Sequence, residues 1–320
     1  MKKFYIGISF CLFFILTFIK DAKAELIYEW QLFEYDGSKY CIISEEEGTC
    51  RLRAYKKGEL IDSIYLPETV YKDDKPYIVT EIGTKALENK KGLQYVNIPN
   101  SVTSIQYDAF AGCQSLESIQ FSNSLTYIGS HAFGRCESLK SIELPQSLLE
   151  IDSEAFMNCK SLQSIIIPNN VERIGWEAFQ WCDSLSKLVL GESVKFIESA
   201  AFVKCPLMEI TFLSITPPEI VEIFSSKDYS DYNTAFYKRD DQKVYVRSES
   251  LEAYKNSEYW YSFNLLPLDS DDVTTEVDEL ENTVSTEYII FNLQGQRIYQ
   301  DVNSLPKGLY LVNGKKVFVN

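Results

Sequence analysis

Residues 162–182 read LQSIIIPNNVERIGWEAFQWC, and residues 185–205 repeat the pattern as LSKLVLGESVKFIESAAFVKC. The second stretch begins 23 residues after the first, and the same period spaces five cysteines: Cys113, Cys136, Cys159, Cys182 and Cys205. A fixed period in the twenties is typical of a solenoid, because a single unit cannot bury its apolar face but stacked units can. The sequence therefore predicts one continuous core along a stack of 23-residue coils.

Each unit contains two distinct patterns. The L-x-x-I-x-I segment alternates with period two, which predicts a short parallel strand in every coil. The G-x-x-A-F-x-x-C segment suits one helical turn whose Ala and Phe point inward. An earlier unit starts at Val79, has Lys90 in place of the cysteine, and follows a more degenerate coil.

The unit L-x-x-I-x-I-P-x-x-V-x-x-I-G-x-x-A-F-x-x-C resembles the BspA-type (Treponema-type) leucine-rich repeat of bacterial surface proteins, over about residues 55–215. The resemblance implies a leucine-rich repeat solenoid with β-rich caps. It also implies a secreted or cell-surface protein that binds host matrix or other bacteria. The departures are at the turns, where the family's Pro and Gly are replaced in some units by Ser122, Gly191, Gln106, Asp152 and Glu198.

The first 24 residues resemble a secretory signal peptide. Lys2 and Lys3 precede an apolar stretch, and Ala22-Lys23-Ala24 supplies the small residues of a cleavage site. The alternative is an uncleaved anchor. Removing this +3 leader changes the net charge from −15 to −18 and leaves seven of the eight cysteines. We therefore expect an exported protein, secreted or associated with the bacterial surface, that does not span the membrane after cleavage.

The remaining chain divides into five parts. We expect an N-terminal β cap with a degenerate first coil at 25–78, repeats at 79–215, a C-terminal cap at 216–268, an acidic linker at 269–287 and a β module at 288–320. The linker holds eight Asp or Glu and no Lys or Arg, which favours a solvated segment. The segments Asn292-Leu293-Gln294-Gly295-Gln296-Arg297 and Leu305-Pro306-Lys307-Gly308-Leu309-Tyr310 of this module resemble Bacteroidota type IX secretion sorting domains. The resemblance implies a sorting or attachment role, with a module that merely folds as the alternative.

The cysteines divide into two groups. The five repeat cysteines occur once per coil without a C-x-x-C pair, so we expect a buried structural column and no metal. Cys41 and Cys50 lie on two arms of an expected hairpin. This placement suggests a disulfide, with two free thiols as the alternative.

Composition and motifs give no support to an enzyme. The acidity argues against a nucleic-acid binder, which needs an excess of Lys and Arg. No catalytic, phosphate-binding or calcium-loop motif occurs, and we expect no cofactor. The lone histidine, His131, belongs to a polar column expected to face solvent. Asp108 and Glu154 would flank it, which leaves a weak pH-sensitive or metal site as the less favoured alternative.

Binding to a partner is the function that remains. We expect the outward positions of the strands to form the concave binding face, with Ile166 and Val189 as an apolar patch near Lys187 and Glu143. Trp176 and Trp181 occupy positions that are polar in other repeats, which suits an interaction hot spot. The alternative is that one or both pack against the cap or a neighbouring coil. We therefore expect a protein ligand on repeats 4–5 of the cysteine-bearing series. Two alternatives are a carbohydrate-binding or uptake-associated protein that uses aromatic residues of the C-terminal cap, and a self-associating structural component of the envelope.

Overall fold

A computed structural model describes residues 31–56, 62–222 and 234–268, together with the backbone of four strands nearer the C-terminus. In chain order the strands are β1 (Leu32–Tyr35), β2 (Ser38–Ser44), β3 (Thr49–Ala54), β4 (Ser63–Tyr65), β5 (Thr69–Lys72), β6 (Lys75–Ile82), β7 (Tyr95–Asn97), β8 (Ser104–Ile105), β9 (Ser118–Gln120), β10 (Tyr127–Ile128), β11 (Glu150–Ile151), β12 (Ser164–Ile167), β13 (Arg173–Ile174), β14 (Lys187–Leu190), β15 (Phe196–Glu198), β16 (Glu209–Phe212), β17 (Glu219–Val221), β18 (Lys243–Arg247), β19 (Leu265–Leu268), β20 (Ile290–Phe291), β21 (Arg297–Ile298), β22 (Gly308–Val312) and β23 (Lys315–Val319). Helix α1 spans Leu251–Lys255, and 3-10 turns span Ser248–Ser250 and Trp260–Ser262.

The repeats form the predicted solenoid, and each coil has three sides. The LxxIxI side holds a three-stranded parallel sheet, β4-β7-β9, and a five-stranded one, β12-β14-β16-β18-β19. The ladder is interrupted at the coil of Ile142, which has no strand on this side, although Ile142 and Leu144 remain buried. The VxxI side continues unbroken through β6, β8, β10, β11, β13, β15 and β17.

The third side, the turn side, carries the Ala-Phe pairs as consecutive tight turns rather than as the expected helical turn. Two residues in each turn have left-handed backbone angles, for example Glu154 at φ 58° and Asn158 at φ 61°, which a helix cannot accommodate. The amides of the turn then alternate between two kinds of partner. The Phe156 N–H donates to Ala178 O in the next coil, whereas the Met157 N–H donates to Glu154 O within its own turn.

Two columns of identical side chains fill the core of the turn side. Six phenylalanine rings form the Phe column, with centroids 5.0–5.2 Å apart and planes within 10° of parallel: Phe110, Phe133, Phe156, Phe179, Phe202 and Phe236. The five repeat cysteines are buried beside them as thiols. Each thiol contacts a main-chain carbonyl of the preceding coil, as Cys159 Sγ does with Phe133 O at 3.4 Å. The cysteines therefore tie successive coils together.

The N-terminal cap extends the VxxI sheet. Strands β1, β2, β3 and β6 follow one another in an 11-stranded sheet, and β5 pairs with β6. The rings of Tyr35 on β1 and Tyr71 on β5 lie 6.1 Å apart, so the two ends of the cap approach each other. Tyr40, Phe33 and Tyr77 fill its interior.

The repeat geometry continues beyond Thr216-Pro217-Pro218, where the sequence pattern predicts that it ends. Strand β17 adds to the VxxI side, Ala235-Phe236 adds to the turn side, and β18 adds to the LxxIxI side. Phe202 and Phe236 are 34 positions apart, so this coil contains 11 residues more than the 23-residue period. The extra residues hide the coil from a search for a fixed period.

The end of the solenoid is covered by α1 and the segment after it. Trp260 is buried against Phe212 and Phe236 and donates its indole N–H to Pro218 O at 2.8 Å. The last four strands form an antiparallel sheet in the order β21-β20-β22-β23. The leader at 1–24 and the linker at 269–287 lie outside the described residues.

Candidate functional site

The hairpin of β2 and β3 places Cys41 and Cys50 on opposite faces. Cys41 pairs with Arg51, and Cys50 pairs with Ile42. Because side chains alternate across a strand, Cys50 points into the core with Ile42, whereas Cys41 points away from it with Arg51. Neither residue is in a disulfide in the described part of the chain. The structure therefore has free thiols, which was the alternative to the suggested disulfide, and the one-residue offset in register places the two cysteines on opposite faces of the hairpin.

The expected apolar patch on the LxxIxI side is not exposed. Ile166 and Val189 are neighbours on β12 and β14, as predicted, but Val189 is only 1% exposed. Leu213 and Ile166 cover it, because Leu213 follows β16 in the next coil and packs back over the sheet. Lys187 forms a 2.9 Å ion pair with Glu209, and Glu143 is exposed on the coil that lacks a strand.

The two tryptophans lie on a different side of the coil. Trp176 and Trp181 belong to the turn side, between β13 and β14, whereas Ile166, Val189 and Lys187 belong to the LxxIxI side. The six residues predicted to form one site are therefore divided between two sides of the solenoid. Trp176 is half-buried, and its main-chain N–H donates to Glu198 Oε2 at 2.7 Å.

Trp181 belongs to a column of left-handed residues on the surface of the turn side. These residues follow the Phe column position by two and have φ between 59° and 72°; we call them the post-Phe column: Asn89, Gly112, Arg135, Asn158, Trp181 and Lys204. Glycine and asparagine suit this conformation, whereas a bulky side chain there is strained. Trp181 is nevertheless 40% exposed, so burial does not compensate for the strain.

Trp181 is part of an exposed cluster that sequence reasoning missed. The Lys204 ammonium lies 5.8 Å from the centroid of the Trp181 ring and 5.3 Å from that of Tyr237. Both distances fit cation–π contacts. Tyr237 is 47% exposed and comes from the coil with the 11 extra residues. Its place beside Lys204 depends on that coil, so a 23-residue period could not indicate it.

A second missed cluster lies on the VxxI side around Arg173. Its guanidinium contacts Glu150 and Glu198 and lies 3.9 Å from Asp152. The Tyr127 hydroxyl donates to Asp152 Oδ2 at 2.7 Å. Burial opposes the charge of Arg173, but Glu198 and the other carboxylates raise its pKa above the ordinary value. Burial raises the pKa of Glu198, against the lowering effect of Arg173.

This cluster explains two departures from the repeat pattern. Asp152 and Glu198 occupy positions where the pattern has glycine, and their carboxylates make the contacts with Tyr127 and Arg173. Gln106, at the same position of another coil, donates to Ser104 Oγ at 3.1 Å. The polar residues therefore replace turn glycines where a neighbouring side chain can be bonded. In the sequence, this cluster is signalled by polar side chains at positions where the repeat pattern has glycine.

His131 belongs to another left-handed column, two residues before the Phe column position, which we call the pre-Phe column: Lys85, Asp108, His131, Glu154, Glu177 and Ala200. The expectation that this column faces solvent is wrong, because Asp108 is buried and the ring of His131 is half-buried against Gly134. Asp108 Oδ1 lies 2.5 Å from His131 Nδ1 and Asp108 Oδ2 lies 3.5 Å from Lys85 Nζ. Burial and the neighbouring Glu154 raise the pKa of Glu177 to about 7.

The aromatic residues of the C-terminal cap are mostly interior. Tyr254 and Trp260 are buried, and Tyr259 and Phe263 are half-buried against Trp260. These four rings therefore pack into the cap, whereas Tyr261 is 65% exposed. Within the described residues, no three His, Cys, Asp or Glu side chains are grouped to hold a metal ion. That part of the chain also contains no helix with the length and apolarity needed to cross a bilayer.

The coils, ladders and inward columns define a leucine-rich repeat protein. Residues 80–211 match the family described as BspA type Leucine rich repeat region, in six copies. The repeat region of this chain belongs to that family. No curated protein matches the chain.

Solved structures of other leucine-rich repeat proteins resemble the chain. A leucine rich cell surface protein from Faecalibacterium prausnitzii A2-165 is 27% identical with a TM-score of 0.56, over 67% of this chain and 54% of that protein. The chain therefore spans about half of that protein's length. The Treponema pallidum leucine rich repeat protein is 30% identical with a TM-score of 0.52, over 59% of this chain and 84% of that one.

Proposed function

We propose that this chain is an exported protein of the bacterial cell surface that binds a protein partner through the turn side of its solenoid. The repeat family and the similarity to a cell surface protein support a surface location. The signal-like leader and the sorting-like C-terminal sequence favour export and attachment. Adhesion to host matrix or to other cells is the role that these features favour.

Trp181 is the observation that carries the proposal. Its backbone conformation favours glycine or asparagine, and Gly112 and Asn158 occupy equivalent positions in other coils. An exposed tryptophan at this position contributes little to the core and strains the turn. Neither local preference nor packing accounts for it. Tryptophan is, however, one of the residue types enriched among the few residues that dominate binding at protein interfaces.

The experiment measures binding of the purified chain to immobilised extracellular matrix proteins by surface plasmon resonance. We expect Trp181→Asn to weaken the binding about 30-fold, because a hot-spot residue contributes 2 kcal/mol or more. Tyr261→Asn is the matched control, since Tyr261 is an exposed aromatic residue of the cap. No binding to any matrix protein, or equal binding by the Trp181 variant, would contradict the proposal.

A further inference from the structure

The surface around Trp181 carries unpaired positive charge. Among the described residues, neither Arg135 nor Lys204 of the post-Phe column lies within 4.0 Å of a carboxylate oxygen, and both are exposed. Lys204 instead contacts the rings of Trp181 and Tyr237. Lys238 likewise follows a ring of the Phe column, Phe236, by two residues, although its backbone is not left-handed. It is exposed and has no such carboxylate within the described part of the chain.

This charge contrasts with the rest of the molecule. The chain has a net charge of −15, and the pre-Phe column contains Asp108, Glu154 and Glu177. The post-Phe column contains no acidic residue. A line of basic side chains on an acidic protein attracts an anionic partner to that line. The positive charge of these side chains therefore favours an anionic ligand.

The geometry of the post-Phe column also favours a particular shape of ligand. Arg135 and Lys204 are three coils apart, which is roughly 15 Å along the solenoid axis given the 5.1–5.2 Å spacing of the stacked rings. An extended peptide covers that distance with about five residues, at roughly 3.3 Å per residue. Carboxylates on alternate residues of such a peptide would point to the same side and face the column.

We propose that the post-Phe column binds an extended acidic segment of the partner protein. Trp181 contacts an apolar side chain of that segment, and Arg135, Lys204 and Lys238 face its carboxylates. The inference rests on the proposed protein-binding function and adds the chemistry of the partner. A peptide is favoured over an acidic sugar because Lys204 already lies over the rings of Trp181 and Tyr237, whereas sugars stack on open ring faces.

The test uses fluorescence anisotropy with the purified full chain and two labelled ten-residue peptides. One peptide has Glu at alternate positions and Leu at its centre, and the other has Gln in place of every Glu. We expect the Glu peptide to bind roughly tenfold more tightly than the Gln peptide at low salt, and this difference to shrink at high salt because exposed charges are screened. Equal affinity for the two peptides would overturn the proposal.

Variants then locate the binding. Lys204→Gln should weaken binding of the Glu peptide about fivefold, the effect expected of one exposed charge contact. Lys160→Gln is the matched control, because Lys160 lies in the same series of turns but is already 3.2 Å from Glu137, and it should leave the affinity unchanged. An equal loss in both variants would overturn the assignment to the post-Phe column. Heparin is the third probe, and heparin binding that Lys204→Gln weakens, without Glu-peptide binding, would also overturn the proposal.

The two proposals can fail separately. If Trp181→Asn weakens binding to matrix proteins but the Glu peptide does not bind, the acidic-segment inference fails and the protein-binding function stands. If Trp181→Asn leaves binding to every matrix protein unchanged while the Glu peptide binds and depends on Lys204, the column binds acidic segments but the proposed matrix partner is wrong.

Discussion

The Phe column and the post-Phe column run along the same turns, two residues apart, but they differ in how strictly they repeat. The Phe column has the same residue in six coils, whereas the post-Phe column has five residue types in six coils. The post-Phe column nevertheless has nearly constant backbone geometry, with φ between 59° and 72°. The inner column is constrained by rings that must stack at about 5 Å, and the outer column is constrained only by its left-handed backbone.

The difference shows where a repeat protein can acquire function. An inward residue must fit the coils on both sides, so a departure there costs stability. An outward residue at a left-handed position needs only to tolerate the conformation. The side chain that tolerates it least, Trp181, is therefore the one whose presence needs a function.

The largest loss of stability is expected from Phe156→Ala in the Phe column. Phe156 is buried and stacks between Phe133 and Phe179, each 5.2 Å away. Loss of its ring should lower the free energy of unfolding by about 4 kcal/mol, measured by denaturant titration. Phe196→Ala is the control, because Phe196 is 40% exposed, and it should cost well under half as much. Similar losses in both variants would contradict the importance of the stacked rings.

The next largest effect is expected at Arg173 on the VxxI side. Arg173→Met keeps the apolar stem but leaves Glu198, whose side chain is 2% exposed, without its cation. We expect a loss of about 3 kcal/mol in the free energy of unfolding, because an uncompensated buried charge is costly. Thermal and chemical denaturation measure it.

A double variant separates charge from packing. Arg173→Met combined with Glu198→Gln removes both charges, so it should be more stable than Arg173→Met alone. If the two losses simply add, the pair is not coupled and the electrostatic account of the cluster is wrong.

The inward columns could be predicted from sequence because each depends only on its own place in the repeat. Ile174, Phe179 and Cys182 are buried as their periodicity predicts. The outward contacts could not be predicted in the same way, since they depend on how neighbouring coils meet. Val189 is covered because Leu213 packs over it from the next coil.

Small shifts in register or length account for the other differences between the structure and the sequence-based predictions. One residue in the register of β2 and β3 separates Cys41 from Cys50, although both lie on the expected hairpin. The 11 extra residues before Phe236 remove one coil from the apparent period and hide the contact of Tyr237 with Lys204. The alternation of apolar residues and the 23-residue period predict each strand and coil. The register between neighbouring strands and coils decides which side chains come into contact.

The pre-Phe column is expected to have a smaller effect on the free energy of unfolding, and this effect should depend on pH. Burial and Glu154 raise the pKa of Glu177 to about 7, above the value of about 4.3 expected in the unfolded chain. The folded state therefore binds more protons than the unfolded state between these values, and stability contributed by this group falls as pH rises from about 4.5 to 7. Glu177→Gln should remove this dependence and raise the free energy of unfolding at pH 8 by about 1 kcal/mol, after allowance for solvent at this half-buried site.

Denaturant titrations of both proteins at pH 5 and pH 8 measure the change. Glu143→Gln is the control, because Glu143 is an exposed carboxylate on the LxxIxI side and should leave the pH dependence unaltered. A Glu177 variant that is less stable than the parent at pH 8 would contradict the inference that its ionised form destabilises the fold.

We expect Trp181→Asn to have the smallest effect on the free energy of unfolding. This small effect would distinguish the post-Phe column from the Phe column, where a substitution costs several kcal/mol. Asparagine tolerates the left-handed backbone, as Asn158 does at φ 61° in the preceding coil, so relief of strain offsets the lost contact with Lys204. We expect the free energy of unfolding to change by no more than about 0.5 kcal/mol. A loss above about 2 kcal/mol would show that Trp181 supports the fold, and weakened binding could then be explained by unfolding. An unchanged stability with weakened binding would instead assign the ring to a partner, because the same substitution cannot then act through the core.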